Sequence, residues 1–363
     1  MKEKIKDFWQ LLRKRIKVMW NRLLTCIWPL TKRQKKGTLV VIFCLVVFFI
    51  LTVVTRVIAN GLYDQQAAKR WSSDGGSAQI SCFYPINYEG LDDYYFLNLE
   101  HTIETALNDA SLQAENENAR QFVDAYSVTG TITLQSDYGM TTVQAVGVAG
   151  DFFFFHPLAL YSGNYIGGDM LMQDGVIIDE DAAWQLFGSN DVTDMNIDIS
   201  GIPYHIAGVT NRDEGHYKEA AGLSKSVCYV SLETLLQYGT INGSYTYELA
   251  MPDPVSDFAM TTVNTALNQQ EEIIEVVENS RRYDVYPLLL TVKDFGVRSM
   301  SSSGIVYPYW ENIARAYEDV FALCLFIKLI VLIVVVILGI LYIHGLRGRL
   351  KAHKKEEKSY EKW

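Results

Sequence analysis

The 363-residue sequence lacks the short motifs around which many catalytic sites are built. It has no GxxxxGK[ST] phosphate-binding loop, so the chain by itself cannot be a P-loop ATPase. The stretch SMSSSG at 299–304 lacks the GxSxG pattern of a serine nucleophile, and no histidine has HExxH-type spacing. We therefore predict no catalytic residue, no metal and no cofactor, and a core or surface role for the histidines of the central region, His101, His156, His205 and His216.

Cysteine is scarce, with five residues in the whole chain. Cys26 lies in a basic N-terminal segment, and Cys44 and Cys324 lie in apolar runs. Only Cys82 and Cys228 lie in the long region between those runs, so this region permits one disulfide. Two buried free thiols are the alternative.

Positive charge is also scarce between the apolar runs. Residues 57–319 contain 11 Lys and Arg against 37 Asp and Glu, whereas the net charge of the whole chain is −10. So acidic a region does not attract phosphate backbones or anionic headgroups. We exclude nucleic acid as a partner, and anionic lipid as a partner of this region.

Long apolar runs are present and indicate a membrane protein. Residues 38–55 contain no charge, which at about 1.5 Å per residue gives roughly 27 Å, and 57–59 complete a predicted span at 38–59. The run 329–343 is shorter and predicts a second span only if it extends upstream through Lys328, giving 321–343. Basic residues precede the first run and no cleavage site follows it, so we expect it to be retained and not removed as a signal peptide.

The charges at the two ends predict the orientation. Residues 1–36 contain 12 Lys and Arg against 2 acidic residues, and residues 345–363 contain 7 against 3. By the positive-inside rule, both termini are predicted to be cytoplasmic and residues 60–320 extracellular or periplasmic. The segment 1–36 has apolar residues at helical spacing, which predicts a basic amphipathic helix on anionic inner-leaflet lipid; docking on a cytoplasmic protein is the alternative. Residues 344–363 form a basic cytoplasmic tail.

Three consecutive acidic residues, Asp179, Glu180 and Asp181, invite a metal-site interpretation, but their context favours a helix cap. They follow the β-branched run GVIID, and Gly188 stands where a helix would end. Asp179 is a good N-cap residue, and the next two carboxylates suit the positive end of a helix. We therefore predict a capped helix with one apolar face.

The central region alternates strand and helix patterns, which predicts an α+β domain. Strand, helix and a hairpin are predicted at 77–84, 92–110 and around the turn SDYG, and the order repeats as a strand at 245–252, a helix at 255–279 and a strand at 283–290. Between these two βαβ-type halves lies an insertion with the hairpin MNIDISGIPYHIAGV, whose Ser200 and Gly201 suit a tight turn.

Two features can be interpreted in more than one way. The aromatic run DFFFFHPLALYSG at 151–163 is typical of a core, with an exposed contact strip as the alternative. Lys328 can extend its side chain to the membrane interface or pair with a polar group on a neighbouring helix, and Gly339 would allow close helix approach. The second interpretation predicts that the second span contacts another protein.

The order of GVIID, DEDAAWQLFG, a short acidic connector and a hairpin ending in YHIAGVTNRDE resembles the MacB-like periplasmic core domain of ABC transporter permeases. The resemblance covers roughly 38–295, and its motif falls on Asp179, Leu186, Phe187, Gly188 and Gly208. It implies a porter-like part at about 76–150 and 245–295 with an inserted sabre-like part at about 151–244.

The resemblance also implies a bacterial plasma-membrane protein that transmits motion and works with a MacB-like permease and an ABC ATPase. This sequence would be a two-span form without the last spans of the family, which suggests an accessory subunit. A two-span sensor with an external ligand-binding domain is the alternative.

Overall fold

A computed structural model describes residues 32–72, 75–112, 119–167, 173–211, 216–223, 225–267, 273–293, 301–302 and 304–360. The predicted amphipathic helix therefore falls almost entirely outside the described residues. The chain divides into two compact units, one formed by residues up to Val57 and from Leu323, and the other by Ile58–Ala322. We call the second unit the core domain.

The first unit contains the apolar parts of two helices, α1 (Lys32–Gly61) and the last helix, α10 (Tyr309–Tyr360). The stretches Lys36–Gly61 and Tyr309–Gly345 are long and apolar enough to cross a membrane. The hydroxyl groups of Thr52 and Thr55 donate to backbone carbonyls four residues earlier, so these polar side chains are satisfied within an apolar helix. The orientation of the two helices stays a prediction.

The core domain is built on one large mixed sheet. Its strands are β1 Ser77–Phe83, β2 Val123–Gln135, β3 Met140–Gly150, β4 Leu160–Gly163, β5 Gly175–Asp179, β6 Asn196–Ile199, β7 Ile202–Thr210, β8 Val227–Ser231, β9 Thr240–Ile241, β10 Thr246–Pro252 and β11 Glu275–Glu278, and a separate ribbon pairs β12 Ser301–Ser302 with β13 Ile305–Val306. The main order is β11-β1-β10-β2-β3-β8-β5-β7-β4, and β6 pairs with both β7 and β2.

The core-domain helices lie between these strands. They are α2 Ala67–Trp71, α3 Asp93–Asp109, α4 Phe152–Phe155, α5 Glu180–Phe187, α6 His216–Lys218 (continued by a π-helical turn at Glu219–Leu223), α7 Leu232–Tyr238, α8 Phe258–Ala266 and α9 Val285–Lys293, and a short 3-10 helix occupies Tyr63–Gln65.

Two strand-helix-strand units interleave at one end of the sheet. The first is β1-α3-β2 and the second is β10-α8-β11, and because β1 pairs with β10 and β11 while β10 pairs with β2, each unit encloses a strand of the other. Helix α3 begins where the Asp92 carboxylate accepts from the Tyr95 backbone N–H, and it buries Phe96, Leu99, Ile103 and Leu107 at spacings of three and four. This end confirms the predicted α+β class.

The strands of the insertion close into a ring together with β2 and β3. Strands β2, β3, β8, β5 and β7 follow one another in the sheet, and β6 bridges β7 back to β2. The side chains inside, among them Ile132, Ile178 and Val230, form one apolar cluster. The boundaries predicted for porter-like and sabre-like parts stay a prediction.

Two predicted elements are wrong. The helix predicted at 255–279 ends at Ala266, and residues 275–278 form β11, because EVVE pairs with the edge of β1. Residues 283–290, predicted as a strand, belong mostly to α9. Pro287 suits this helix because it lies in the first turn, where its missing N–H costs nothing.

The aromatic run at 151–163 is part of the core. Phe152 and Phe155 are buried in α4, and Phe153 and Phe154 pack on the same cluster. The core interpretation of this run is therefore confirmed.

Candidate functional site: a buried chain of charges

Arg282 lies in the turn after β11 and is the centre of the most highly charged buried cluster in the described core domain. Its Nη1 and Nη2 donate to the two carboxylate oxygens of Glu311, each at 2.9 Å, and its Nε donates to Glu318 at 2.6 Å. Glu311 and Glu318 are seven residues apart on α10, so they lie on one face of the helix. The guanidinium therefore holds two successive turns of α10.

The remaining hydrogen-bonding capacity of Arg282 connects it to two further segments. Nη1 also donates to Gln65 at 3.0 Å, in the 3-10 helix that follows α1, and to Asn279 at 2.9 Å. Burial alone would lower the pKa of Arg282, but Glu311 and Glu318 outweigh it and raise that pKa well above its usual value. Burial likewise opposes ionisation of Glu311, and Arg282 reverses this and lowers its pKa. The charged forms are thus the stable ones.

Arg315 extends the cluster along α10. Its Nε donates to Glu311 at 2.7 Å, its Nη2 donates to Glu275 on β11, and its guanidinium lies 3.7 Å from the ring centre of Tyr307. The Tyr307 hydroxyl donates to the same Glu275. A second cation therefore ties α10 to the edge strand of the sheet.

His156 forms a second centre just after α4. It is buried, its Nδ1 lies 3.0 Å from the Asp64 carboxylate and its Nε2 lies 2.5 Å from the Glu248 carboxylate. Burial alone would lower the pKa of His156, but Glu248 and Asp64 raise it to about 9. The ring is therefore an imidazolium at neutral pH, donating from both nitrogens.

The two centres are linked by hydrogen bonds through the sheet. The Ser81 hydroxyl on β1 donates to Glu248 at 2.7 Å and accepts from the Asn279 amide at 2.6 Å, and Asn279 in turn accepts from Arg282. We call this connected set the buried charge chain; its members are Asp64, Gln65, Ser81, His156, Glu248, Glu275, Asn279, Arg282, Tyr307, Glu311, Arg315 and Glu318.

The cations of the buried charge chain are committed to carboxylates, so the arrangement stabilises contacts. Within the described residues, no group of three His, Cys, Asp or Glu has the geometry of a metal site. The buried charge chain joins the segment after α1, the sheet and the first turns of α10.

The sequence did not indicate this cluster. The partners of His156 are each 92 residues away, and Gln65 is 217 residues from Arg282. One local signal was available: Glu311, Arg315 and Glu318 recur at spacings of four and three directly before an apolar run, which marks one polar helix face.

The acidic triplet at 179–181 is a helix cap, as predicted. The Asp179 carboxylate accepts from the Ala182 N–H at 2.8 Å and also from the Val227 N–H at 2.9 Å, which joins β5 to β8. Gly188 ends α5 in the left-handed conformation with φ 68°. Leu186 is buried and Phe187 is partly buried on the same cluster.

The remaining predicted positions are scattered. Gly208 lies on β7, where an added Cβ would approach the Asn164 carbonyl oxygen to 2.9 Å, so a glycine permits the close passage of that backbone. Within the first unit, the Lys328 ammonium lies 3.4 Å from the Thr55 hydroxyl of α1 in the same chain, and the contact of Lys328 with another protein stays a prediction. A Cβ added at Gly339 would meet no described atom within 4 Å, and its contact role stays a prediction.

The disulfide between Cys82 and Cys228 is not formed; both are buried free thiols, which was the alternative. Cys82 lies on β1 and Cys228 on β8, and three strands separate them in the sheet. At about 4.8 Å between neighbours this is roughly 19 Å, well beyond the reach of a disulfide. Burial raises the pKa of both thiols, so they are unreactive in the folded chain.

Comparison with known proteins assigns the core domain to a family. The sequence model described as the MacB-like periplasmic core domain matches residues 38–278. The chain belongs to this family. The MacB-like periplasmic core domain is found in permeases of ABC-type transporters, and here two apolar helices flank it.

Solved structures with similarity to this MacB-like chain include three bacterial domains. The periplasmic region of MacB from Actinobacillus actinomycetemcomitans is 15% identical, with a TM-score of 0.40, 61% of this chain covered and 96% of that chain. The extracellular domain of the noncanonic ABC-type transporter YknZ from Gram-positive bacteria is 16% identical, with a TM-score of 0.35 and coverages of 55% and 99%. A domain of a putative permease from Porphyromonas gingivalis is 12% identical, with a TM-score of 0.33 and coverages of 56% and 89%. No curated protein sequence matches the chain.

Proposed function

We propose that the chain is a non-catalytic membrane subunit of a MacB-like ABC transporter or a related mechanotransmission complex. Its core domain contacts partner subunits or substrate, and a separate ABC ATPase hydrolyses ATP. Both termini are cytoplasmic, and the basic segment 1–36 binds anionic lipid of the inner leaflet. Purified alone, the chain should neither bind nor hydrolyse ATP, because it has no phosphate-binding loop.

The observation that supports this proposal is the pair of buried ion contacts that Arg282 makes with Glu311 and Glu318. Removing one partner of a buried ion pair costs about 3–5 kcal/mol, because the other charge stays buried and unpaired. A displacement of the first turns of α10 is therefore cheaper when the sheet moves with them than when the contacts break. Such a joint suits a helix that passes motion to the domain in which it begins.

Association is tested by purifying the tagged full chain from its native membrane in mild detergent. We expect an ABC ATPase and a MacB-like permease to copurify. The matched control replaces residues 321–343 with a Leu-rich span of equal length, which should insert normally and lose both partners. Recovery of the chain without an ATPase or permease would refute the proposal.

Coupling is tested on the purified complex by hydrogen exchange with and without ATP. We expect ATP to change exchange in β11 and at residues 79–82, and Glu318→Gln to reduce that change while the partners still copurify. An exchange response to ATP that is identical in the unsubstituted chain and in Glu318→Gln would show that motion does not pass through the contact between Arg282 and Glu318.

A two-span sensor is the second candidate, and a cavity in the core domain favours it. The cavity has a volume of about 370 Å³, and its lining includes Asp93, Tyr126, Phe153 and Glu233. Two carboxylates and two aromatic rings suit a cationic, partly apolar ligand. Copurification separates the candidates, because a sensor of this kind needs no ATPase.

A further inference from the structure

Helix α9, Val285–Lys293, exposes an apolar surface that a water-facing helix would not have. Leu288 and Thr291 are buried, while the outward side chains are apolar and between 38% and 72% exposed; they are Val285, Tyr286, Leu289, Leu290 and Val292. The one charged residue of the helix is Lys293, at its last position. Exposed helix faces in water are normally polar, so we expect an apolar partner for this face.

The turn before α9 lies beside the core-domain residues that adjoin both apolar helices along the chain. Arg282 contacts Gln65, four residues after the end of α1 at Gly61, and it contacts Glu318 on α10. The ring of Tyr283 packs edge-on against Phe321, with 5.0 Å between the ring centres. Phe321 begins the apolar part of α10. A nine-residue helix is about 13 Å long, so every residue of α9 lies within about 13 Å of its start at Val285, which directly follows this turn.

We propose that α9 is an interfacial helix that lies in the lipid leaflet facing the core domain. It is too short to span a bilayer, and its apolar residues with Tyr286 and a terminal lysine suit the boundary between headgroups and acyl chains. With Asp284 exposed before it and Lys293 as its only charge, binding depends on apolar insertion and not on anionic lipid. The inference goes beyond the proposed function, since it holds with or without an ATPase.

The β2–β3 hairpin provides a control position far from the turn that holds Arg282. Strand β11 runs from Glu275, opposite Phe83, towards Arg282, so the Phe83 end of β1 points away from the turn. Strand β2 continues beyond that end, from Ser127 at the level of Phe83 to Gln135, which at about 3.3 Å per residue is roughly 26 Å further. Tyr138 is exposed at the tip of this hairpin.

The test measures how accessible nitroxide labels are to oxygen, which concentrates in lipid, and to a water-soluble nickel chelate. Labels are placed at Tyr286→Cys, Leu290→Cys and the control Tyr138→Cys in the full chain, reconstituted in phosphatidylcholine nanodiscs. The background has Cys26→Ser, Cys44→Ala and Cys324→Ala and retains the buried Cys82 and Cys228. This background without an added cysteine, treated with the same label, is the blank.

We expect the oxygen-to-nickel accessibility ratio to be several-fold higher at 286 and 290 than at 138, and unchanged when anionic lipid is added. A ratio at 286 and 290 equal to that at 138 would place α9 in water. Protection of both labels from both reagents would mean that protein covers the helix. Either of these two results overturns the proposal, as does lipid contact that appears only with anionic lipid.

Discussion

At the scale of single residues, the stability of the core domain depends on charges that have no access to water. Arg282, Glu311 and His156 are each less than 5% exposed. Charges in such surroundings stabilise a fold only as complete sets, because each is costly to bury alone. Single substitutions at these three positions should therefore have large effects, and their matched surface counterparts small ones.

Replacing Arg282 with Met should lower the free energy of unfolding by about 3–5 kcal/mol, because Glu311 and Glu318 lose their shared cation in a buried site and only Glu311 keeps a second one, Arg315. Urea unfolding of the full chain in detergent measures the loss. The control is Arg120→Met, which breaks an exposed pair with Asp151 and should cost below about 1 kcal/mol. Equal losses of unfolding free energy in the two variants would show that the contacts of Arg282 with Glu311 and Glu318 add no more stability than an exposed pair.

His156 should make stability depend on pH. Its folded pKa of about 9 lies above its ordinary value of 6.5, so the folded chain holds this proton more tightly than the unfolded chain. Its contribution is complete below pH 6.5 and is lost as the pH rises through 9. Thermal unfolding of the full chain should show stability falling across this window, and His156→Gln should flatten the fall. His205→Gln, at a half-exposed pair with Asp174, should leave it unchanged; a fall that persists in His156→Gln would assign it elsewhere.

At the scale of elements, the sequence predicted what local chemistry decides. Asp179 and Gly188 mark both ends of α5, and Ser200 and Gly201, with φ of 55° and 87°, form the turn between β6 and β7. The boundary of α8 and the helical state of residues 285–290 were missed, because β11 exists only through its pairing with β1 and α9 contains β-branched residues. Tertiary contact decided those segments.

Two glycines with positive φ should differ in their tolerance of alanine. At Gly188, with φ 68°, an added Cβ meets nothing within 4 Å, so the cost is that of a left-handed backbone alone, about 1–2 kcal/mol. At Gly163, with φ 80°, the Cβ would collide with the Ala207 carbonyl oxygen on β7 as well. Urea unfolding should therefore show Gly163→Ala to be clearly less stable than Gly188→Ala. Similar losses would mean that β4 can move away from β7 at little cost.

At the scale of the whole molecule, the architecture depends on pairings between distant segments. The parallel pairing of β3 with β8 places Gln144 beside Val227, and the bridge from β6 to β2 joins Asp198 to Gln135. Hairpins can be predicted from their turns, whereas such pairings have no local signal. The family resemblance predicted the fold class. Neither the local patterns nor the resemblance predicted the buried charge chain, because its hydrogen bonds join segments that these pairings bring together.

The orientation of the whole chain is the last prediction, and it follows from charge. Lys and Arg are concentrated before the first apolar run and after the second, while the core domain is strongly acidic, so the positive-inside rule places both ends in the cytoplasm. Ile5→Cys and Lys355→Cys should resist a membrane-impermeant thiol reagent in intact cells, and Tyr138→Cys should react. All three are made in a chain with Cys26→Ser, Cys44→Ala and Cys324→Ala, which without an added cysteine is the blank, since Cys82 and Cys228 are buried. Permeabilised cells should label all three sites, and labelling of either terminus in intact cells would overturn the two-span topology.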